Sequence, residues 1–98
     1  MENESIALCL KMATEAFGES FKPAKEVVSG TDSLSRLNVF VWSDEPYIVE
    51  RGSDFCGVVR CLNGSVASNR WYWDYNNEKM HLIGTITEEA FQSLIRNQ

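Results

Sequence analysis

The hydrophobic pattern of the chain changes its period along the sequence, and each change predicts a change of secondary structure. From residue 3 to about 18, apolar residues recur every three or four positions, which predicts an amphipathic helix. From residue 36 to about 85 they alternate with polar residues, which favours strands. A helical period returns after Thr87, a suitable N-cap followed by two acidic residues that suit a helix start. The helical stripes are Ile6, Cys9, Leu10, Ala13 and Phe17 in the first helix and Ala90, Phe91, Leu94 and Ile95 in the second.

Turn-forming residues divide the alternating segment into five predicted strands. The strongest turn signal is Asn63-Gly64, which suits a two-residue type I′ hairpin turn with positive φ at both positions. Asn76-Asn77 is a second candidate for a tight turn. Residues 19–34 predict a loop, with 27–28 as a candidate for a short edge strand. The five strands are expected at 36–42, 47–49, 55–62, 65–75 and 78–85.

The two hairpins differ in how well their cross-strand pairs agree. A tight turn at Asn76-Asn77 brings opposite charges together on one face and bulky apolar groups together on the other, which supports that register. The register from Asn63-Gly64 places the polar residues Arg60 and Asn69 on the tryptophan side, so a bulge or break between residues 67 and 70 is needed. The pairs expected across the second turn are Asp74 with Lys79, Trp73 with Met80, Tyr72 with His81 and Trp71 with Leu82.

This order of elements predicts a single α+β domain over residues 1–98, with an N-terminal helix, a five-stranded antiparallel meander sheet at about 36–85 and a C-terminal helix. Two helices of this length cover about one face of such a sheet. The strand at 36–42 is nevertheless apolar on both faces. Either the sheet curls around the first helix, or a second chain or a ligand covers the remaining face.

Aromatic residues are concentrated on the predicted sheet, and four of the eleven lie in the run Trp71-Tyr72-Trp73-Asp74-Tyr75. Rings on a sheet can stack on bases or sugars, or bind a partner protein. We interpret Trp71 and Trp73 as core, because the expected register places them opposite apolar residues. The candidate interaction surface consists of Phe40, Trp42, Tyr47 and Tyr72.

Charge and cysteine content restrict the class of protein. The net charge is −5, and the acidic excess lies before residue 55. A basic groove for nucleic acid is therefore not expected, whereas a basic partner is permitted. No apolar run reaches the length of a membrane span, and the acidic start lacks the basic region of a secretory signal, so we expect a cytoplasmic protein. The three cysteines form no CxxC pair, which argues against a disulfide scaffold or a zinc site.

Catalytic chemistry has one candidate, because His81 is the only histidine. We interpret it as a half-buried structural residue in a strand. The sequence shows neither a serine in a strand-to-helix turn nor a cysteine with an evident positively charged neighbour. The carboxylates of Asp44, Glu45, Glu50 and Asp54 lie around two turns without the spacing of a calcium loop. No cofactor motif is present, and we expect no metal and no cofactor.

The sequence therefore predicts a non-catalytic interaction module that uses an aromatic sheet face and binds a second copy of itself or another protein. The first alternative is a small-ligand binding protein with a pocket between the sheet and the N-terminal helix. The second alternative is a small hydrolase that uses His81. The candidate pocket is lined by Phe17, Trp71, Trp73 and Met80.

Overall fold

Two helices and a six-stranded antiparallel sheet make up the part of the chain that the computed structural model describes, residues 3–24, 36–51, 56–72 and 81–97. Helix α1 spans Asn3–Phe17 and continues into a 3-10 turn, and helix α2 spans Glu88–Arg96. The strands are β1 (Phe21–Pro23), β2 (Arg36–Trp42), β3 (Glu45–Arg51), β4 (Cys56–Cys61), β5 (Val66–Tyr72) and β6 (His81–Thr87).

Both predicted helices are confirmed, together with the faces that they bury. Cys9 and Ala13 of α1 are fully buried, and the other members of that stripe pack partly buried against the core. Helix α2 begins at Thr87, whose hydroxyl oxygen accepts a hydrogen bond of 3.1 Å from the Ala90 N–H. This bond satisfies one of the backbone donors that a helix start leaves unpaired. Phe91 is the buried centre of the α2 stripe.

The order of strands differs from the predicted five-stranded meander. The sheet has six strands among the described residues, in the order β1-β6-β2-β3-β4-β5, and every neighbouring pair is antiparallel. The additional strand β1 was predicted as loop because it is three residues long and ends at Pro23. The candidate edge strand at 27–28 lies outside the described residues.

The predicted pairing of the last two strands is wrong. Strand β6 pairs with β2 and β1, so that Leu82 lies opposite Phe40 rather than Trp71, and His81 lies opposite Val41 rather than Tyr72. Four consecutive residues of β6, from 83 to 86, are buried. A strand buried on both faces is stable in the interior of a sheet, and the end of a meander would leave it exposed.

The turn at Asn63-Gly64 differs from the two-residue type that the sequence predicts. Gly64 has φ of +94°, as expected, but its N–H bonds to the carbonyl oxygen of Cys61 and the Cys61 N–H bonds to the Ser65 oxygen, both at 2.9 Å. The loop therefore has three residues, a turn followed by a glycine of positive φ. The two-residue turn with positive φ at both positions lies between β2 and β3, at Ser43 (52°) and Asp44 (63°).

The predicted irregularity in the fourth predicted strand is confirmed. Gly57 pairs with Trp71 and Val59 pairs with Ser68, so β5 holds one more residue than β4 between these two pairs. A further shift follows, because Arg60 pairs with Val66. Extra residues of this kind bend the strand and flip the side chains that follow them.

The main core lies between the two helices and one face of the sheet. It contains residues of both helices and of β1, β2, β3 and β6, including Cys9, Ile48, Ile86 and Phe91. Cys9 and Cys61 are free thiols, and burial raises the pKa of the Cys9 thiol. Arg60 lies at the margin of this core, with its guanidinium 5.8 Å from the ring centre of Phe91. None of the described helices has the length and apolar character needed to cross a membrane.

Candidate interaction surface

A second hydrophobic cluster lies on the face of the sheet that points away from the helices. Its buried members are Phe40, Val49 and Val59, and Trp42 and Tyr47 pack partly buried against them. Side chains alternate along a strand, which separates the members on β2 from their neighbours in the main core. We call these five residues the aromatic face. They come from three adjacent strands, β2, β3 and β4.

Three of the four residues of the predicted interaction surface belong to the aromatic face. Phe40 and Tyr47 are directly opposite each other on β2 and β3, and Trp42 lies two residues further along β2. The fourth predicted residue, Tyr72, ends β5 opposite Cys56, and its side chain lies outside the described part of the structure. This surface could be predicted from the sequence because β2 carries large apolar side chains on both faces.

One end of the aromatic face combines two aromatic rings with a carboxylate. The turn at residues 43–44 places Glu45 directly opposite Trp42. The Trp42 and Tyr47 ring centres are 6.3 Å apart and the ring planes are inclined by 59°. The Tyr47 hydroxyl donates a hydrogen bond of 2.7 Å to Oε2 of Glu45. We refer to these three residues as the acidic corner.

The hydrogen bond within the acidic corner changes the ionisation of Tyr47. Donation to Glu45 is the main cause that raises the pKa of Tyr47 from 10.0 to about 12, and burial and the carboxylate charge add to it. A raised pKa means that the folded state favours the protonated phenol more than the unfolded state does. The stabilisation from this bond is therefore complete below pH 10 and is lost as the pH rises through about 12.

An alkaline titration tests this assignment. In the wild-type protein we expect one tyrosine to ionise near pH 12, observed by tyrosinate absorbance. Glu45→Gln should move that midpoint towards 10.0, because it removes the charged acceptor. Tyr47→Phe should remove the transition, and circular dichroism recorded in parallel marks any unfolding. Equal midpoints in wild type and Glu45→Gln while both remain folded would contradict the assignment.

Two neighbours of the aromatic face are not among the residues that we predicted from the sequence. Leu82 on β6 lies opposite Phe40, and its side chain is 39% exposed. Cys61 at the end of β4 lies opposite Tyr47 and is half-buried. Leu82 was missed because the predicted strand order did not place β6 beside β2, and Cys61 was missed because the register of β3 against β4 was not predicted. Knowledge that β6 is buried on both faces would have placed it in the interior of the sheet.

Basic residues lie on the same face at its opposite end. Lys22 of β1 pairs with Thr85, which in turn pairs with Asn38 two residues before Phe40. Arg36, two residues further back on β2, donates from Nε to the Thr85 hydroxyl at 2.7 Å and from Nη2 to the Ser20 carbonyl at 2.8 Å. We call Lys22 and Arg36 the basic end. Arg36 joins β2 to β6 and to the 3-10 turn that precedes β1, and Lys22 is exposed.

The predicted ligand pocket is only partly within the described residues. Phe17 lines a shallow recess of 270 Å³ between the two helices, rather than between α1 and the sheet. Trp71 lies opposite Gly57 on β5, and its side chain is not described. Trp73 and Met80 lie outside the described residues. The recess is lined by Ala16, Phe17, Ala90, Ser93, Leu94 and Asn97.

His81 has different surroundings from those predicted. It begins β6 and is exposed, whereas the sequence predicted a half-buried packing residue. The expectation rested on a position in the middle of the predicted strand 78–85, whereas His81 is the first residue of β6. Among the described residues, no group of three or more histidine, cysteine or acidic side chains is arranged to hold a metal ion. Of the acidic turn residues, Asp54 lies outside the described part of the chain.

Comparison with known proteins adds no relative. No protein-family model, no curated protein and no solved structure matches this chain. The function is therefore inferred from the chemistry of the surface described above.

Proposed function

We propose that this protein is a non-catalytic interaction module that forms a homodimer through its aromatic face. The observation that carries the proposal is a second hydrophobic cluster on the side of the sheet away from both helices. Trp42 and Tyr47 are only partly buried there, and Leu82 adjoins Phe40 with 39% of its side chain in solvent. Aromatic residues are enriched at protein interfaces because they bury large areas at a low entropic cost.

The shape of the surface is suited to a second sheet. Phe40, Val49 and Val59 are already buried within one chain, so they form an ordered base on which the more exposed side chains lie. The area that a partner newly buries comes from Trp42, Tyr47 and Leu82. Two sheets pack face to face at about 10 Å, with their strands aligned or crossed at nearly a right angle. Such a contact is the same on both copies, as two-fold symmetry requires.

The charge pattern of the face supports a second copy as the partner. The acidic corner lies at one end and the basic end at the other, so the face is complementary to itself when one copy is turned relative to the other. Complementary charges select partners and speed their encounter, and apolar contact supplies most of the affinity.

Sedimentation velocity tests the proposal. We expect the wild type to sediment at twice its chain mass of 11.1 kDa at micromolar concentrations. Trp42→Ala and Leu82→Glu should each shift the protein towards monomer, because the first removes a ring at the contact and the second places a charge there. A wild-type protein that remains at 11.1 kDa up to high micromolar concentration would overturn the proposal.

A matched control separates this surface from general hydrophobic association. Leu8 on α1 is 57% exposed, more than Leu82, and it lies on a helix on the other side of the sheet. Leu8→Glu should leave the mass of the dimer unchanged. If Leu8→Glu dissociates the protein and Leu82→Glu does not, the copies meet through the helices. Circular dichroism confirms that each variant is folded.

A further inference from the structure

We propose that the acidic corner is a cation site that binds the ammonium group of Lys22 from the second copy. This inference rests on the proposed homodimer and names the polar contact that orients it. Each dimer would contain two such sites, because an isologous contact repeats every interaction.

The acidic corner has the components of a cation site. A cation is attracted to the face of an aromatic ring within about 6 Å of its centre, and tryptophan is the strongest such partner. The ring centres of Trp42 and Tyr47 are 6.3 Å apart and the ring planes are inclined by 59°, so the two rings pack against each other at a tilt beside Glu45. Glu45 adds a full negative charge, held against Tyr47 by the hydrogen bond of 2.7 Å. A carboxylate accepts more than one hydrogen bond, so the Tyr47 donation leaves acceptor capacity for an ammonium group.

The structure of the face indicates which cation reaches this site. Arg36 already donates to Thr85 and Ser20 of its own chain, which fixes its guanidinium. Lys22 is exposed on the same face, and it has no side-chain hydrogen bond or ion pair within the described residues. A lysine side chain is long and flexible. Its ammonium group stays in water unless an anion takes the place of the water molecules around it.

The positions of Lys22 and the acidic corner are compatible with a two-fold axis. Across the sheet, Lys22 lies two strands from β2, which is a distance of about 10 Å. Along the strands, Trp42 of the acidic corner lies four residues beyond the level of Lys22, which is about 13 Å. An axis in the interface that runs diagonally past the Phe40–Leu82 pair exchanges the two positions. It makes the strands of the two sheets cross at nearly a right angle, which is one of the two common packings. Phe40 and Leu82 then lie at the centre of the contact.

Charge exchange tests the inference. The dimer dissociation constant is measured by sedimentation for Lys22→Glu, Glu45→Lys and the double variant. Each single variant places like charges together, and we expect each to raise the dissociation constant about tenfold or more. The double variant restores opposite charges and should return to within about threefold of wild type. Lys11→Glu on α1 makes the same change of net charge away from the face and should have little effect.

The outcomes distinguish this inference from the proposed function. If Leu82→Glu dissociates the dimer while the charge variants and wild type associate equally, the homodimer stands and the cation site is overturned. If both single variants weaken the dimer and the double variant does not recover, the pairing of Lys22 with Glu45 is overturned. A monomeric wild type overturns both proposals. Recovery in the double variant supports the pairing, because a general effect of charge would not be reversed.

Discussion

Phe91→Ala should lower the free energy of unfolding by about 3–5 kcal/mol, as measured by urea denaturation. Phe91 is 1% exposed and is the largest fully buried side chain among the described residues. Its removal deletes the fully buried contact of α2 with the main core, to which Leu94 and Ile95 contribute only partly buried side chains, and leaves a cavity. The Arg60 guanidinium, 5.8 Å from the ring centre, also loses its aromatic partner. A domain of this size is stable by about 5–15 kcal/mol, so the loss is a large fraction of the total.

Two variants control for other causes of this effect. Phe91→Leu keeps most of the apolar volume and should cost much less than Phe91→Ala. Ser93→Ala changes an exposed position on the same helix and should be nearly neutral. If Phe91→Ala costs no more than about 1 kcal/mol, then α2 does not contribute to the core as described.

Gly84→Val should destabilise the protein by about 3 kcal/mol or more, because β1 and β6 leave no room for a side chain at that position. A Cβ atom on Gly84 would lie 2.5 Å from Cε1 of Phe21 and even closer to the carbonyl oxygen of Lys22. The Lys22 oxygen is a backbone atom of β1, and it cannot move aside without breaking the pairing of β1 with β6. The loss is measured by urea denaturation, and amide hydrogen exchange should show reduced protection in β1.

Gly18→Ala provides a control with a different cause of strain. Gly18 has φ of +56°, but nothing lies within 4 Å of a Cβ built there. We expect a cost of about 1 kcal/mol from the backbone conformation alone. A Gly84→Val protein that is as stable as Gly18→Ala would show that β1 can separate from β6 without a significant loss.

Local patterns predicted the elements of this fold more reliably than their arrangement. The stripe that ends at Phe17 and the cap at Thr87 depend on residues a few positions apart, and both helices are confirmed. The irregularity in β5 was also predicted, because polar residues otherwise fell on the apolar side. These inferences concern neighbours along the chain or across one tight turn.

The strand order was not predictable in the same way, because it depends on competition between distant segments. A local pairing of Trp71 with Leu82 satisfied every rule for a hairpin, yet Leu82 pairs with Phe40. Burial of β6 on both faces outweighs the local pairing. Turn type was misassigned for a related reason. Asn63-Gly64 has the residues of a two-residue turn, but the strands meet in a register that requires a third loop residue.

The candidate surface was predicted in part. Phe40, Trp42 and Tyr47 could be chosen because an apolar residue on the outer face of a half-covered sheet needs an explanation. Glu45 was considered as a turn carboxylate, and its hydrogen bond to Tyr47 requires the β2–β3 register. Lys22 lies in a segment that was predicted as loop, so its position on the same face could not be inferred.

The position of β6 between β1 and β2 also has a consequence for how the chain folds during synthesis. Strand β1 pairs with β6 and not with β2, so, within the described part of the chain, residues 21–23 find their strand partner only when residues 84–86 have been made. The links from β6 to β1 and β2 are distant in sequence, and such pairings form slowly. A nascent chain that ends before His81 can form the β2–β5 hairpins but exposes both sides of the gap where β6 belongs. The sheet is therefore completed only after β6 has been translated, and the unfilled gap is the point at which partly made chains are open to aggregation.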